Sequence, residues 1–158
     1  MNKLAKLKAM SGNERRLLLQ AWLLLPVVRI MLWLAGYRRT FASLKFLLRL
    51  SGDQNDANLA ETASRDWHQQ AATFGRLVNG AATHSLIVVN CLPRSLVLWW
   101  MLRRAGLAVD LRIGVQKEAD VFAAHAWVEY AGVPVNDQSS EQYSPILSTF
   151  APLESKTL

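Results

Sequence analysis

The chain has one cysteine, Cys91, and three histidines, His68, His84 and His125. A thiol acts as a nucleophile when a base takes its proton and a third group orients that base. Cys91 opens the run Cys91-Leu92-Pro93-Arg94-Ser95-Leu96, which reads as the start of a helix. The unpaired N–H groups and the positive dipole end of such a start favour an anion, whether a thiolate or the oxyanion of a tetrahedral intermediate. The alternative for a lone thiol is an inert, buried side chain. His125 is the candidate base. It lies mid-strand in Ala123-Ala124-His125-Ala126-Trp127, where small neighbours leave room for approach and a strand holds the ring. His68 falls in a helical stretch and His84 in a loop-like one. Asp137 is the candidate orienting carboxylate. A hairpin turning through Tyr130-Ala131-Gly132, with Gly132 left-handed, pairs Glu129 with Val133 and sets His125 opposite Asp137, their Cβ atoms about 5 Å apart. A two-residue turn would put them on opposite faces. In the three-residue register Cys91 attacks a carbonyl, His125 takes the thiol proton and returns it to a leaving amine, and Asp137 fixes the tautomer. Glu129 shares the face of His125 but reaches it less directly.

These residues need a helix and an antiparallel hairpin to hold them. Cys91–Ala105 has Pro93 in its first turn and Gly106 just past its end, the usual asymmetry of helix limits. Leu107–Val115 alternates apolar and polar residues and predicts a strand, and Lys117–Asp120 reads as a charged connection. Phe122–Tyr130 and Val133–Asn136 predict two strands around Gly132. Upstream, Ala60–Leu77 predicts a helix ended by Asn79-Gly80, and residues 51–58 a polar linker. Arg38–Leu50 predicts a helix stopped by Ser51-Gly52. The expected class is α+β: a helical N-terminal part, then one long helix and an antiparallel β-meander. The organisation divides into a basic, apolar helical segment (1–52) and a core (53–158), within one continuous domain.

The chain has 158 residues, 51% hydrophobic and 19% charged, enough for a real core and unlike a disordered chain. A single cysteine permits no intrachain disulfide and fits a reducing cytoplasm. Residues 1–50 carry ten basic side chains against Glu14 alone, a net +9, which leaves −3 for the rest of a chain of formal charge +6. No nucleic-acid-binding signature accompanies this charge, so nucleic acid is not an expected partner. No clustered ligand spacing suggests a metal and no Gly-rich loop a nucleotide, so neither metal nor cofactor is expected. The most apolar stretch, Leu17–Ala35, approaches the length of a membrane span, but Arg29, Gln20 and Pro26 interrupt it. It is expected as helices packed in or beside the core, with peripheral membrane contact open to its basic, leucine-rich face.

The run from Cys91-Leu92-Pro93-Arg94-Ser95-Leu96 continues through Leu102-Arg103-Arg104-Ala105-Gly106 and Arg112-Ile113-Gly114-Val115. It then passes Ala124-His125-Ala126-Trp127-Val128-Glu129 and reaches Gly132-Val133-Pro134-Val135-Asn136-Asp137. This pattern resembles the transglutaminase-like superfamily and, within it, the leader-peptidase "B" proteins of lasso-peptide biosynthesis. The likeness covers about residues 74–138 well, and the helical front more loosely. It implies a papain-like core with the Cys91, His125 and Asp137 triad, hydrolysing the bond between the leader and core of a ribosomally made precursor peptide. It further implies two partners, a separate leader-recognition protein and an ATP-dependent macrolactam cyclase, with the basic N-terminal third expected to help dock them. The sequence departs from papain-like enzymes in lacking a glutamine in Ser85–Asn90 as an oxyanion donor; Asn90 is nearby, and the second donor is open. A transglutaminase or amidase with the same triad and a non-catalytic binding protein of this fold are the competing readings. A membrane-anchoring scaffold built on Leu17–Ala35 is a further one.

Overall fold

The computed structural model describes residues 10–50, 65–85, 87–118, 121–136 and 142–149. Helix α1 (Gly12–Leu50) starts at a reciprocal cap. The Glu14 N–H donates to the Ser11 hydroxyl at 3.2 Å, and the Ser11 N–H donates to the Glu14 carboxylate at 2.8 Å. The Ser11 N–H, and after it the hydroxyl, hold the Glu14 carboxyl below its usual range. Gly36, at φ 72° and ψ 175°, breaks α1 into two helical lengths, where the sequence separates Leu17–Ala35 from the helix beginning at Arg38. Ala21, Leu25 and Val28 before the break, and Thr40, Leu44 and Leu48 after it, recur every three or four residues and are buried.

Helix α2 (Arg65–Thr83) and helix α3 (Cys91–Arg104) pack against α1 and against each other. Helix α2 does not end at Asn79-Gly80 as the sequence suggests; both residues lie inside it. Its buried stripe, Ala71, Phe74, Val78 and Ala81, runs on past Gly80, and packing Ala81 outweighs the ~1 kcal/mol a helical glycine costs. The expected start at Ala60 lies outside the described residues, as do residues 51–58. Helix α3 matches its expected limits to one residue. Gly106, at φ 86°, stops it: the Gly106 N–H donates to the Arg103 carbonyl at 2.9 Å, and the Leu107 N–H to the Leu102 carbonyl at 3.0 Å. That cap takes Leu107 out of the first strand, which therefore begins later than expected.

Strands β1 (Val109–Glu118), β2 (Val121–Tyr130), β3 (Val133–Pro134) and β4 (Ser144–Ser148) form one antiparallel sheet in the order β3-β2-β1-β4. The chain is α+β. Lys117 and Glu118 belong to β1 and not to a connection, because β1 pairs with β2 as far as Glu118↔Val121. Val109, Leu111, Val128 and Tyr130 join the helices in a single core. The alternate residues, Asp110, Arg112, Trp127 and Glu129, stand on the other face. There Arg112 bridges Asp110 and Glu129 at 2.9 and 3.0 Å. Asp110 accepts hydrogen bonds from the Ser148 hydroxyl and from the N–H and hydroxyl of Thr149, tying β4 to β1.

Candidate active site

Cys91 is the first residue of α3 and is half-buried. Asn90 precedes it in extended conformation (φ −74°, ψ 178°), and its side chain makes no capping bond to the first turn of α3. Ser95, one turn further along the same helix face, is fully buried. Its hydroxyl donates to the Ala126 carbonyl at 2.8 Å. Ala126 follows His125 in β2, so the start of α3 stands beside the histidine-bearing part of that strand.

The reason lies in the sheet edge. Strand β3 pairs with Glu129 and Tyr130, and Val135 and Asn136 meet the backbone of Val128, so among the described residues no strand covers β2 on that side from Trp127 back toward His125. The Ala126 carbonyl is met by the Ser95 hydroxyl. His125 itself pairs with Gly114 of β1. Its imidazole stands on the sheet face of Trp127, stacked on that indole at 6.1 Å and 15°. The ring of Tyr143 lies at 4.9 Å, tilted by 33°. The imidazole is therefore held between aromatic neighbours. Glu129 shares this face as expected but is engaged elsewhere: it accepts a hydrogen bond from Trp127 Nε1 at 2.8 Å and pairs with Arg112.

The hairpin register differs from the expected one. Tyr130 pairs with Val133, and Glu129 with Pro134. The turn is the two-residue Ala131-Gly132, with φ 50° and 78°, both left-handed. Two left-handed residues give the turn whose twist matches the flanking strands, and Ala131 accepts that conformation beside a glycine. The direct opposition of His125 and Asp137 is thereby removed as an argument for their pairing. The expected strand Val133–Asn136 also shortens to two residues, because the chain leaves the ladder at Val135. The Val135 N–H still donates to the Val128 carbonyl at 2.8 Å, but the Val128 N–H donates to the Asn136 Oδ1 at 2.8 Å. A side chain replaces a backbone carbonyl, so strand alternation no longer fixes the face on which residues beyond Asn136 stand. Asp137 lies outside the described residues.

Asn136, which lies in the family pattern but has no role assigned from the sequence, is the pivot of this region. Its Nδ2 donates to the Ser95 hydroxyl at 3.2 Å, and its carbonyl accepts from the Asn79 Nδ2 at 3.1 Å. Helices α2 and α3 and strand β2 are thus joined at the residue before Asp137. Gly75 of α2 completes the seat: a Cβ there would lie 2.7 Å from the Val135 carbonyl. Gly114 does the same for the histidine's neighbour, since a Cβ there would lie 2.8 Å from the Trp127 ring and 2.9 Å from the Ser144 carbonyl. The signal in the sequence is a glycine inside a strand pattern, which marks a close approach. His68 sits in α2 with its ring edge-on to Tyr130, and His84 at the end of α2 accepts on its carbonyl from Trp22 Nε1. Neither shares the edge with Cys91. Among the described residues, no group of three or more His, Cys, Asp or Glu is placed to hold a metal ion.

Compared with known families, residues 27–148 match the family model described as the transglutaminase-like superfamily. No curated protein and no solved structure matches the chain.

Proposed function

Because the chain belongs to the transglutaminase-like superfamily, we propose that it is a cysteine peptidase that frees a ribosomally made core peptide from its leader during lasso-peptide maturation. The observation that carries this reading is the bond from Ser95 to Ala126, which sets the start of the cysteine's helix at the open edge of the histidine's strand. Cys91 attacks the scissile carbonyl, His125 accepts the thiol proton and passes it to the leaving core amine, and water then releases the leader from the thioester. First-turn N–H groups of α3 supply donors for the oxyanion. Asp137, next to the pinned Asn136, orients the imidazole. The motif likeness in Ala124–Glu129 and Gly132–Asp137 is what favours a leader peptide over other amides. A separate leader-binding protein presents the precursor, and an ATP-dependent cyclase consumes the free amine. The lone thiol supports a cytoplasmic reaction.

The test is to incubate the precursor with the chain and the leader-binding protein in the presence of excess glycine methyl ester, and to weigh the products. A leader ending in a free carboxylate supports hydrolysis. A leader carrying the amine would make the chain a transamidating enzyme with the same nucleophile. An uncut precursor under conditions where the complex forms would contradict both.

A further inference from the structure

The part of α1 before Gly36 buries one side against α2 and α3 and leaves the other bare. Leu19, Leu23, Val27, Ile30, Trp33 and Leu34 line that outer side, each at least half exposed, Trp33 at 83% and Leu34 at 70%. They extend over about 22 Å at 1.5 Å per residue. The mean hydropathy of the most apolar stretch of α1 is 2.0, and only 17% of that stretch is buried. An ordinary surface helix carries polar residues on this side. Here the charges stand at the ends and flank instead: Arg15, Arg16, Arg29, Arg38 and Arg39 are all exposed. After the break, exposed Lys45 and Arg49 alternate with exposed Phe46 and Leu50. The one acid in α1, Glu14, is held by Ser11.

We propose that this face of α1 lies in the plane of an anionic lipid bilayer surface, with the apolar stripe in the headgroup–acyl boundary and the arginines on lipid phosphates. An apolar stripe bordered by basic side chains is the composition such helices use, and an exposed tryptophan is suited to the boundary. A second copy of the chain is the poorer occupant, since it would set the same arginines against one another. A membrane span is at odds with the packing. Ala21 and Leu25 are fully buried in the core, and Trp22 Nε1 donates to the His84 carbonyl at 3.1 Å, so crossing the bilayer would take α1 out of the fold. The inference does not depend on the proposed peptidase activity, and the Cys91→Ala chain serves equally well for its test.

The test is flotation of the full chain with vesicles of phosphatidylglycerol and phosphatidylethanolamine, against vesicles of phosphatidylcholine alone. Wild type floats with the anionic vesicles, and high salt or alkaline carbonate releases it. Replacing Leu23, Ile30 and Trp33 together by glutamine lowers the partition coefficient at least tenfold while leaving the melting temperature within a few degrees, because these side chains point outward. Replacing Arg15, Arg16, Arg38 and Arg39 by glutamine weakens binding about fivefold for each arginine that meets lipid. In vesicles of brominated lipid, Trp33→Phe loses part of the fluorescence quenching seen in wild type. The proposal is overturned by failure to float, by flotation that the glutamine variants leave unchanged, or by resistance to carbonate, which would mark a span. A dimer broken by the triple variant, without flotation, would also overturn it and assign the face to a second copy.

Discussion

The Ser95 hydroxyl donates to the Ala126 carbonyl at 2.8 Å, one helical turn from Cys91 and one residue from His125. The buried serine thereby ties the helix that begins at Cys91 to the strand that carries His125. Removing it as Ser95→Ala leaves the Ala126 carbonyl and the Asn136 amide without this partner, at about 1–3 kcal/mol. Urea unfolding is expected to show that loss, with precursor cleavage reduced beyond what the folded fraction accounts for.

Asn136 and Ser95 belong to one network and are not expected to behave independently. Asn136→Ala removes the acceptor of the Val128 N–H and the donor to Ser95. The double variant with Ser95→Ala is expected to be less destabilised than the sum of the singles, by about 0.5–3 kcal/mol. Strict additivity in a double-mutant cycle would show that the two side chains do not communicate.

Gly75 tests the seat of the Val135–Asn136 segment through the sign of an effect. In an open helix, Gly→Ala stabilises by about 1 kcal/mol. Here the added carbon meets a backbone carbonyl at 2.7 Å, which cannot swing aside as a side chain would. Gly75→Ala is therefore expected to destabilise, by about 1–3 kcal/mol, and to depress cleavage. A rise in melting temperature would refute the close approach.

Tyr143 meets His125 through its ring, so the ring and not the hydroxyl is expected to matter. Tyr143→Phe should retain most of the cleavage rate, and Tyr143→Ala should lose about tenfold or more, chiefly in kcat, as the imidazole gains freedom. Equal losses in the two variants would give the hydroxyl a role that this account does not assign.

Much of this arrangement is legible in the sequence because it rests on local signals. Pro93 near the start and Gly106 past the end mark α3, alternation marks β1, and the hairpin around Gly132 marks β2. The Gly36 break falls where the two apolar runs divide. The departures arise where tertiary packing overrides a local signal. Asn79-Gly80 looks like a helix stop, yet Ala81 packs into the core and carries α2 onward. Ala131 shares the turn with Gly132 because the twist of the hairpin favours two left-handed residues, and a sequence offering a single glycine does not announce that. Strand β4 has weak alternation around Pro145, and its attachment rests on Asp110, 38 residues away from Ser148. The exit of the chain from the ladder at Val135 depends on Asn136 taking over from a backbone carbonyl, a tertiary choice that no spacing rule contains. The pairing of His125 with Asp137 must therefore stand on the family likeness and not on hairpin counting.

The central claim is that Cys91 is the nucleophile. It is tested most directly by mass spectrometry of the precursor after incubation with its leader-binding protein and either wild type or Cys91→Ala. The account predicts a leader-sized mass loss with wild type and a rate lower by ~10³-fold or more in the variant, with the variant still folded. Cleavage that persists at a comparable rate in Cys91→Ala would contradict it.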